Sequence, residues 1–451
     1  MDLALIILAA GKGTRMKSSL PKVMHAVAGR PMVDWTIATA QMLAPKEVVL
    51  VVGPELNELA PRFSPHKLVL QTERLGTGHA VQQCREALEG FEGRVLVLFG
   101  DTPLVSVESM QAMLDKAEQT DAAVVLSVFE REDGAGYGRV VLDDVGAPSA
   151  IVERKDANPE QQQITTLNGG LMLVKTAVLW DLLDQVGSDN AAGEYYLTQL
   201  VELAYQAGHT TAISHVPEAE LQGVNSRVEL AQVEAAAQDR LRTRAMLQGV
   251  TMLDPSSVTM SFDTVLEPDV MLEPNVVFLP GVHVSAGATI RGFSHLEGAV
   301  VGPACVVGPY ARLRPGTVLR EGAKIGNFVE AKNADFGEGA KANHLTYVGD
   351  AIVGAKSNIG AGTITCNYDG FNKARTTLGE GVFIGSNSAL VAPVSVGDGA
   401  IVGAGSVITS DVEPNALATA RGSQRAVDGA AEKFRAKAKA QKEKAKQDAG
   451  K

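Results

Sequence analysis

Cysteine is scarce in this chain of 451 residues, with Cys84, Cys305 and Cys366 the only three. They are too few and too scattered for a disulfide framework or a cysteine zinc site, and they suit a reducing cytoplasm. Aromatic residues make up only 5% of the sequence. No apolar run approaches the ~20 residues that cross a bilayer, which excludes a membrane-spanning helix. Met1 to Ala10 is apolar, but it has no basic leader and runs into glycines, so it reads as a first strand and not as a signal peptide. Positive charge is in deficit: 41 Lys+Arg against 52 Asp+Glu leave a net −11, which argues against general nucleic-acid binding. His283, His295 and His344 lack the paired spacing of a histidine zinc site.

What remains is the composition of a soluble globular protein, 45% apolar and 21% charged, long enough for two or three domains. Short apolar runs at Val48 to Val52, Lys67 to Leu70, Val95 to Phe99 and Ala122 to Val128 read as strands. They alternate with helical patterns at Pro31 to Ala44, Gly78 to Leu88 and Ser106 to Gln119. Such alternation implies an α/β doubly wound, mostly parallel sheet, whose ligands sit at the carboxyl ends of the strands. Ser226-Arg227-Val228-Glu229 is a capping box that opens a long helix ended by Gly249.

Beyond that helix the period changes to six. Val301, Val307, Leu313, Leu319 and Ile325 form one series, and Leu378, Ile384, Leu390, Val396, Val402 and Ile408 another; Val265, Met271 and Val277 extend the first backward. Hexapeptide repeats of this kind predict a left-handed parallel β-helix. The period slips by one between Ala331 and Phe336 and again between Val348 and Val353, and about Thr365 to Thr377 should loop out of the coil. Loops and slips in a solenoid are where function is added. The expected division is an α/β domain over 1–225, a linker helix over 226–249, a β-helix over 250–429, and an Ala/Lys-rich tail over 430–451 that is disordered or a frayed helix.

Two constellations carry chemistry. Leu8-Ala9-Ala10-Gly11-Lys12-Gly13-Thr14-Arg15-Met16 is a glycine-rich turn after a buried strand, where backbone N–H groups can approach phosphate oxygens unobstructed. It matches neither the Walker pattern nor the dinucleotide fingerprint. Arg15 is placed to neutralise a leaving pyrophosphate, and Lys22 to reach an α-phosphate or a sugar phosphate. Gly100-Asp101 ends an apolar strand, so Asp101 faces the same edge or merely turns the chain. In the second half, Arg314, Lys332, Asn327, His344, Tyr347, Asn358 and Asn367-Tyr368-Asp369-Gly370 crowd the irregular part of a coil that should hold aliphatic and small side chains. Arg314 and Lys332 suit a phosphate. His344 suits the task of taking a proton from an amine that attacks a thioester, or else is a structural histidine.

The first constellation, with Pro21-Lys22, Gln71, Leu75-Gly76-Thr77-Gly78, Gly136-Tyr137-Gly138, Glu153, Asn168 and Asn225 following in order, resembles the sugar-1-phosphate nucleotidyltransferases. That resemblance implies that Leu8, Ala9, Ala10, Gly11, Phe99 and Gly100 line a UTP site. Gln71, Gly76 and Thr77 would read the uracil edge, and Gly138, Glu153 and Asn168 would hold the sugar. Asp101 and Asn225 would carry Mg²⁺. Over Leu3 to Arg425 the chain resembles the bacterial family that joins N-acetylglucosamine-1-phosphate uridyltransferase to glucosamine-1-phosphate N-acetyltransferase. This implies a general base in His344, amino-sugar phosphate ligands in Arg314, Lys332, Tyr347 and Asn358, and an acetyl-CoA groove along Ala361, Asn367, Tyr368, Ser386, Ala404 and Arg421. It also implies a homotrimer, with small molecules (glucosamine-1-phosphate, acetyl-CoA and UTP) as partners. Phe99, Gly169 and Asn343 stand where the family pattern has tyrosine, threonine and glycine. The alternatives are a single-activity nucleotidyltransferase whose coil only oligomerises or senses an effector, and a non-enzymatic scaffold.

Overall fold

The computed structural model describes residues 2–57, 60–134 and 136–448. The chain folds as two compact units, Met1–Thr264 with Val277–Gly281, and Val265–Val276 with Val282–Lys451.

In the first unit, the run Leu-Ala-Leu-Ile-Ile-Leu-Ala is buried along its whole length and forms strand β1 (Leu3–Ala9), as expected of a strand covered on both faces. It is followed by β2 (Glu47–Val52), β3 (Lys67–Leu70), β4 (Arg94–Phe99), β5 (Val124–Glu130), β6 (Arg139–Leu142), β7 (Pro148–Val152), β8 (Thr166–Lys175) and β9 (Thr211–His215). The sheet order is β9-β5-β8-β4-β1-β2-β3, with β6 and β7 a hairpin attached to β8. Along this order the neighbours run parallel except β8, which is antiparallel to both β4 and β5. Besides the one-turn helix Pro54–Asn57, the helices among the described residues are α1 (Met32–Gln41), α2 (Thr77–Gln82), α3 (Val107–Thr120), α4 (Thr176–Leu183), α5 (Gln199–Gln206) and α6 (Arg227–Leu247). The helix expected over Gly78 to Leu88 breaks after Gln82 and resumes as a 3-10 turn at Glu86–Leu88. Apolar clusters fill both faces, one including Val33, Ile37, Met110 and Met113, the other Val81, Leu179, Leu182 and Leu200.

The helix expected to link two domains, α6, belongs to the first unit and packs within it. Its Val233 and Ala237 lie in a buried cluster with Met16, Val27, Met32 and Val224. Its Gln238 side chain donates to the Met260 carbonyl at 2.7 Å and accepts from the Met260 N–H at 2.8 Å. The Ser226 hydroxyl caps Glu229 N–H at 3.3 Å, while the Glu229 carboxylate reaches back one residue further than a standard capping box, to Asn225 N–H at 2.7 Å.

The second unit is the left-handed parallel β-helix. Its strands of mostly two or three residues pair with the turn above, as in Thr289 with Val306 and Lys324 in turn. The series from Val301 to Ile325 and from Leu378 to Ile408 are buried, as the period requires. The backward extension needs correction: Val265 and Met271 are half exposed, and the inward residues are Leu266, Leu272, Phe278, Val284, Ile290 and Leu296. A further slip of one residue between Leu296 and Val301 shifts the phase. Because each hexapeptide begins with two adjacent strand residues on opposite faces, an error of one turns the whole column outward. The irregular part is held by two long strands, Lys324–Phe336 and Lys341–Val353, paired in register. The excursion leaves the coil between Ile364–Cys366 and Thr376–Leu378 and closes on a bridge between Tyr368 and Lys373. Of the two readings of the tail, disorder or a frayed helix, the structure has the helix, α7 (Ala430–Asp448), exposed over residues 430–445; residues 449–451 lie outside the described residues. Its alanines and lysines are strong helix formers, and local propensity alone accounts for it.

Candidate active sites

The carboxyl ends of β1 and β4 open onto a cavity of about 290 Å³. Leu8, Ala9, Ala10, Gly11, Lys22, Gln71, Gly76, Thr77, Phe99 and Asp101 line it, joined by Arg74 and Glu194, which carry no signal in the sequence pattern. A larger groove of about 1130 Å³ lies at the opposite end of the strands, around Gly93, Asp121 and Lys175, away from these groups. In an open α/β sheet the carboxyl edge is the chemical one, so the smaller cavity is the candidate.

Backbone conformation explains why this edge carries glycine. Gly13 adopts φ 62°, and a Cβ there would meet Lys22 Cβ at 2.5 Å. Gly76 adopts φ 118° and lies so close to Tyr195 that a Cβ would come within 2.5 Å of its carbonyl oxygen. Gln71 donates to the Gly76 carbonyl at 3.2 Å, and the Thr77 hydroxyl accepts from Leu197 N–H at 3.0 Å. Both residues therefore shape the wall as well as face the cavity. Opposite them, Lys22 Nζ is salt-bridged to the Asp101 carboxylate and donates to the Asn225 side-chain oxygen at 3.1 Å. One carboxylate oxygen and one amide oxygen thus converge on a single cation, a hard-oxygen pair that fits Mg²⁺. Among the described residues no three His, Cys, Asp or Glu side chains form a metal cage, so such an ion would keep water and substrate oxygens in its remaining positions. Arg15 is exposed on the 3-10 turn Thr14–Met16 and is not brought to the cavity lining.

The three sugar candidates come together. Asn168 N–H donates to the Gly138 carbonyl at 2.8 Å, and a Cβ on Gly138 would lie 3.5 Å from both Glu153 carboxylate oxygens. Burial pushes the Glu153 carboxyl up, partly offset by a hydrogen bond from the Thr198 hydroxyl at 3.3 Å. A break in the β8–β5 register between Asn168 and Met172 places Gly170 at φ 92°, and Gly170 N–H donates to the Asn168 side-chain oxygen at 3.0 Å. Gly169, where the resemblance leads to an expectation of threonine, has no room for a side chain: Ser127 Oγ and Leu221 Cδ1 both lie 2.6 Å from the position of its Cβ.

On the coil the candidates form two groups. One climbs a single edge. His344 Nδ1–H donates to the Asn327 side-chain oxygen at 2.7 Å, which leaves Nε2 as the acceptor. On successive turns Gly362 N–H donates to the His344 carbonyl, Asn387 N–H to Ala361, Gly405 N–H to Ser386, and Arg421 to Ala404 at 2.6 Å. His344, Ala361, Ser386, Ala404 and Arg421 are therefore one column. Asn358, paired with Lys341 below and Phe383 above, lies on the face leading into that edge, and Tyr347 lies on the face leaving it. Arg291 and Lys324, which no motif singles out, line a groove of about 290 Å³ beside Asn327, Asn343 and His344.

The second group sits at the next edge. Arg314 is ion-paired with Glu330 at 2.8 Å. The Lys373 ammonium, likewise outside the motifs, lies against Lys332 and, with Arg314 nearby, pushes the Lys332 amine below its usual range. Asn333 and Asn367 both donate to the Asp350 carboxylate, which fixes Asn367 at the base of the excursion. Burial raises the Asp350 carboxyl, but these donors and the Lys373 and Lys332 charges outweigh it and hold it low. Tyr368 is exposed, its hydroxyl donating to the Gly370 carbonyl. Asn327 pairs with His344 while Lys332 pairs with Gly349, so the two groups are five strand residues apart, roughly 15 Å.

Residues 5–189 match the MobA-like NTP transferase domain family, and residues 375–410 match the bacterial transferase hexapeptide family (six repeats). The Bifunctional protein GlmU of Paramagnetospirillum magneticum is 53% identical over 443 residues, covering 98% of each chain. That of Rhodospirillum rubrum is 54% identical over 434 residues, covering 96% of this chain and 97% of its own. That of Zymomonas mobilis is 46% identical over 439 residues, covering 96% and 98%. Among solved structures, UDP-glucose pyrophosphorylase complexed with UDP-glucose aligns with 53% of this chain and 100% of its own, at 17% identity and a TM-score of 0.46.

Proposed function

The chain belongs to the family of the bifunctional GlmU proteins and is an enzyme with two activities of UDP-N-acetylglucosamine synthesis; from that premise we propose how its residues divide the work. The observation that carries the reading is the separation of two built sites. One is a cation-centred cavity at the strand ends of the first unit, the other a histidine-headed column on the coil.

At the coil, glucosamine-1-phosphate is held by Arg314 and Lys332 through its phosphate, with Tyr347 and Asn358 on the sugar. Acetyl-CoA lies along Ala361, Ser386, Ala404 and Arg421, flanked by Asn367 and Tyr368. The amine attacks the thioester carbonyl as His344 Nε2 accepts its proton, the C–S bond breaks, and CoA leaves as the thiol. Asn327 holds the imidazole in the required tautomer. Ser386 or a neighbouring backbone N–H steadies the oxyanion.

At the cavity, the phosphate oxygen of N-acetylglucosamine-1-phosphate attacks the α-phosphorus of UTP, and the bond to pyrophosphate breaks. Gln71, Gly76 and Thr77 hold the base, while Gly138, Glu153 and Asn168 hold the sugar. Lys22 neutralises charge at the α-phosphate, and Arg15 draws in to meet the departing pyrophosphate. Mg²⁺ held by Asp101 and Asn225 would supply further charge neutralisation. Positioning and electrostatics account for the acceleration, since phosphoryl chemistry needs little covalent help.

The assembly we propose is a cytoplasmic homotrimer. Two observations support it. The coil candidates lie on two edges of one chain, roughly 15 Å apart, and packing coils side by side brings the edge of one copy to that of the next. Phe293, Tyr310 and Phe328 also stack in a solvent-exposed ladder, with ring centroids 4.9 and 5.2 Å apart, that continues to exposed Leu345 beside His344. No helix among the described residues is long and apolar enough to cross a membrane.

The test follows the two products separately, thiol from acetyl-CoA and pyrophosphate from UTP. His344→Ala should abolish the first and leave uridylylation of supplied N-acetylglucosamine-1-phosphate intact. Asp101→Ala should do the reverse. Loss of both activities in either variant would overturn the division.

A further inference from the structure

Arg74 lines the candidate nucleotide cavity, and its guanidinium is engaged by protein groups on two sides. Its Nε donates to the Ala10 carbonyl at 2.5 Å, and its terminal nitrogen is salt-bridged to Glu55 just beyond the end of β2. Glu55 is hydrogen-bonded by its own backbone N–H and faced by Arg74 and Lys12, which holds its carboxyl below the usual range. The guanidinium packs over Gly53: a Cβ there would lie 2.5 Å from it, 2.9 Å from Glu55 Oε2 and 3.1 Å from the Ala10 carbonyl oxygen. Gly53 is therefore bare because Arg74 needs the space.

The Ala10 carbonyl belongs to the peptide that joins Ala10 to Gly11, the turn of the glycine-rich loop. A trans peptide is planar, with its C=O and N–H pointing in opposite directions. Fixing the carbonyl toward Arg74 therefore fixes the Gly11 N–H in the opposite sense. Gly11 has no side chain to do this, and a Cβ there would meet nothing within 4 Å.

We infer that Arg74 is a positioning residue for the uridylyl reaction: with Glu55 and Gly53 it clamps the Ala10 carbonyl and so orients the Gly11 N–H for the nucleotide. The inference rests on the reading of this cavity as the UTP site. It places Arg74 outside the set that touches the reacting atoms, and it assigns the clamp to UTP binding and not to the sugar phosphate.

The test measures steady-state pyrophosphate release with UTP and N-acetylglucosamine-1-phosphate varied separately, on the full chain, with the thermal unfolding transition of the first unit in calorimetry as the folding control. Arg74→Ala should raise the KM for UTP about tenfold, the effect of one lost charge-directed hydrogen bond. It should leave kcat within about twofold and the KM for the sugar phosphate unchanged, the pattern of lost ground-state binding. Glu55→Gln and Gly53→Ala keep the guanidinium but disturb its seat, and both should raise the KM for UTP in the same direction by several-fold. Arg74→Lys should restore part of the loss. Should Gly53→Ala fail to fold, as the control would reveal, Glu55→Gln decides. If Arg74→Ala weakens UTP while Glu55→Gln leaves it unchanged, Arg74 meets the nucleotide directly and the clamp is wrong. An unchanged UTP KM in Arg74→Ala also overturns it. Absence of UTP-dependent pyrophosphate release in the wild-type protein would instead overturn the assignment of the cavity.

Discussion

Lys332 and Lys373 stand in direct like-charge contact with Arg314 beside them, an arrangement that is unfavourable until an anion arrives. The crowding lowers the Lys332 pKa, so Lys332 sheds its proton at a lower pH than a free lysine. A bound phosphate reverses the crowding and raises that pKa. Affinity for glucosamine-1-phosphate should therefore be full at neutral pH and fall on the alkaline side before the ordinary lysine range is reached. Lys332→Arg, which does not titrate there, should flatten that limb of the KM profile relative to the wild type. A profile identical in both proteins would remove Lys332 from the phosphate site. Gly169 makes a second residue-scale case. A threonine here, as the resemblance leads one to expect, would drive its Cβ into Ser127 Oγ, Leu221 and the Ser127 carbonyl, the last 3.0 Å away. Gly169→Thr should destabilise the first unit by about 1–3 kcal/mol, the cost of overpacking, seen as a lower Tm in calorimetry.

At the scale of elements, the register of the coil can be tested by truncating neighbours. Leu272→Ala removes a fully buried side chain and should cost about 2–5 kcal/mol. Met271→Ala, at a side chain 43% exposed, should stay within about 0.5 kcal/mol in chemical denaturation. Reversed costs would restore the phase that Val265, Met271 and Val277 suggest. The same pair shows how much was legible in the chain itself. The six-residue period is unambiguous from Val301 to Ile325, because the competing column of neighbours one residue earlier is broken by the charged Arg312 and Lys324. It is ambiguous at Met271-Leu272 and Val277-Phe278, where both members of a strand pair are apolar and periodicity cannot choose between them. The strands and the glycine-rich turn were legible because burial on two faces and tight turns leave compositional traces. Arg74 and Lys373 were not, since their roles come from the tertiary meeting of separate segments. α6 looked like a connector because helical patterning shows that a helix forms and not what it packs against.

At the scale of the whole molecule, the aromatic ladder is the feature that a lone coil does not explain. Phe293, Tyr310 and Phe328 occupy left-handed corners, at φ 58°, 56° and 56°, where asparagine or glycine is the easier choice. All three are about half exposed, and Leu345 on the next turn is 62% exposed and left-handed as well. Bulky residues in a costly conformation, stacked in water, gain their stabilisation when a second surface covers them. The proposed trimer supplies that surface beside His344, and it brings the phosphate-binding edge of a neighbouring copy toward the catalytic edge. Phe328→Glu places a charge in the middle of the stack. It should shift the protein to a monomer in sedimentation and abolish thiol release from acetyl-CoA, yet leave pyrophosphate release within about twofold, because the cavity of the first unit is built within one chain. Val145→Glu, at an apolar residue 87% exposed on a turn of the first unit, should change neither quantity. A Phe328→Glu protein that still assembles and acetylates would show that the ladder faces solvent in the working enzyme, and the two edges of the coil would then have to be joined in another way.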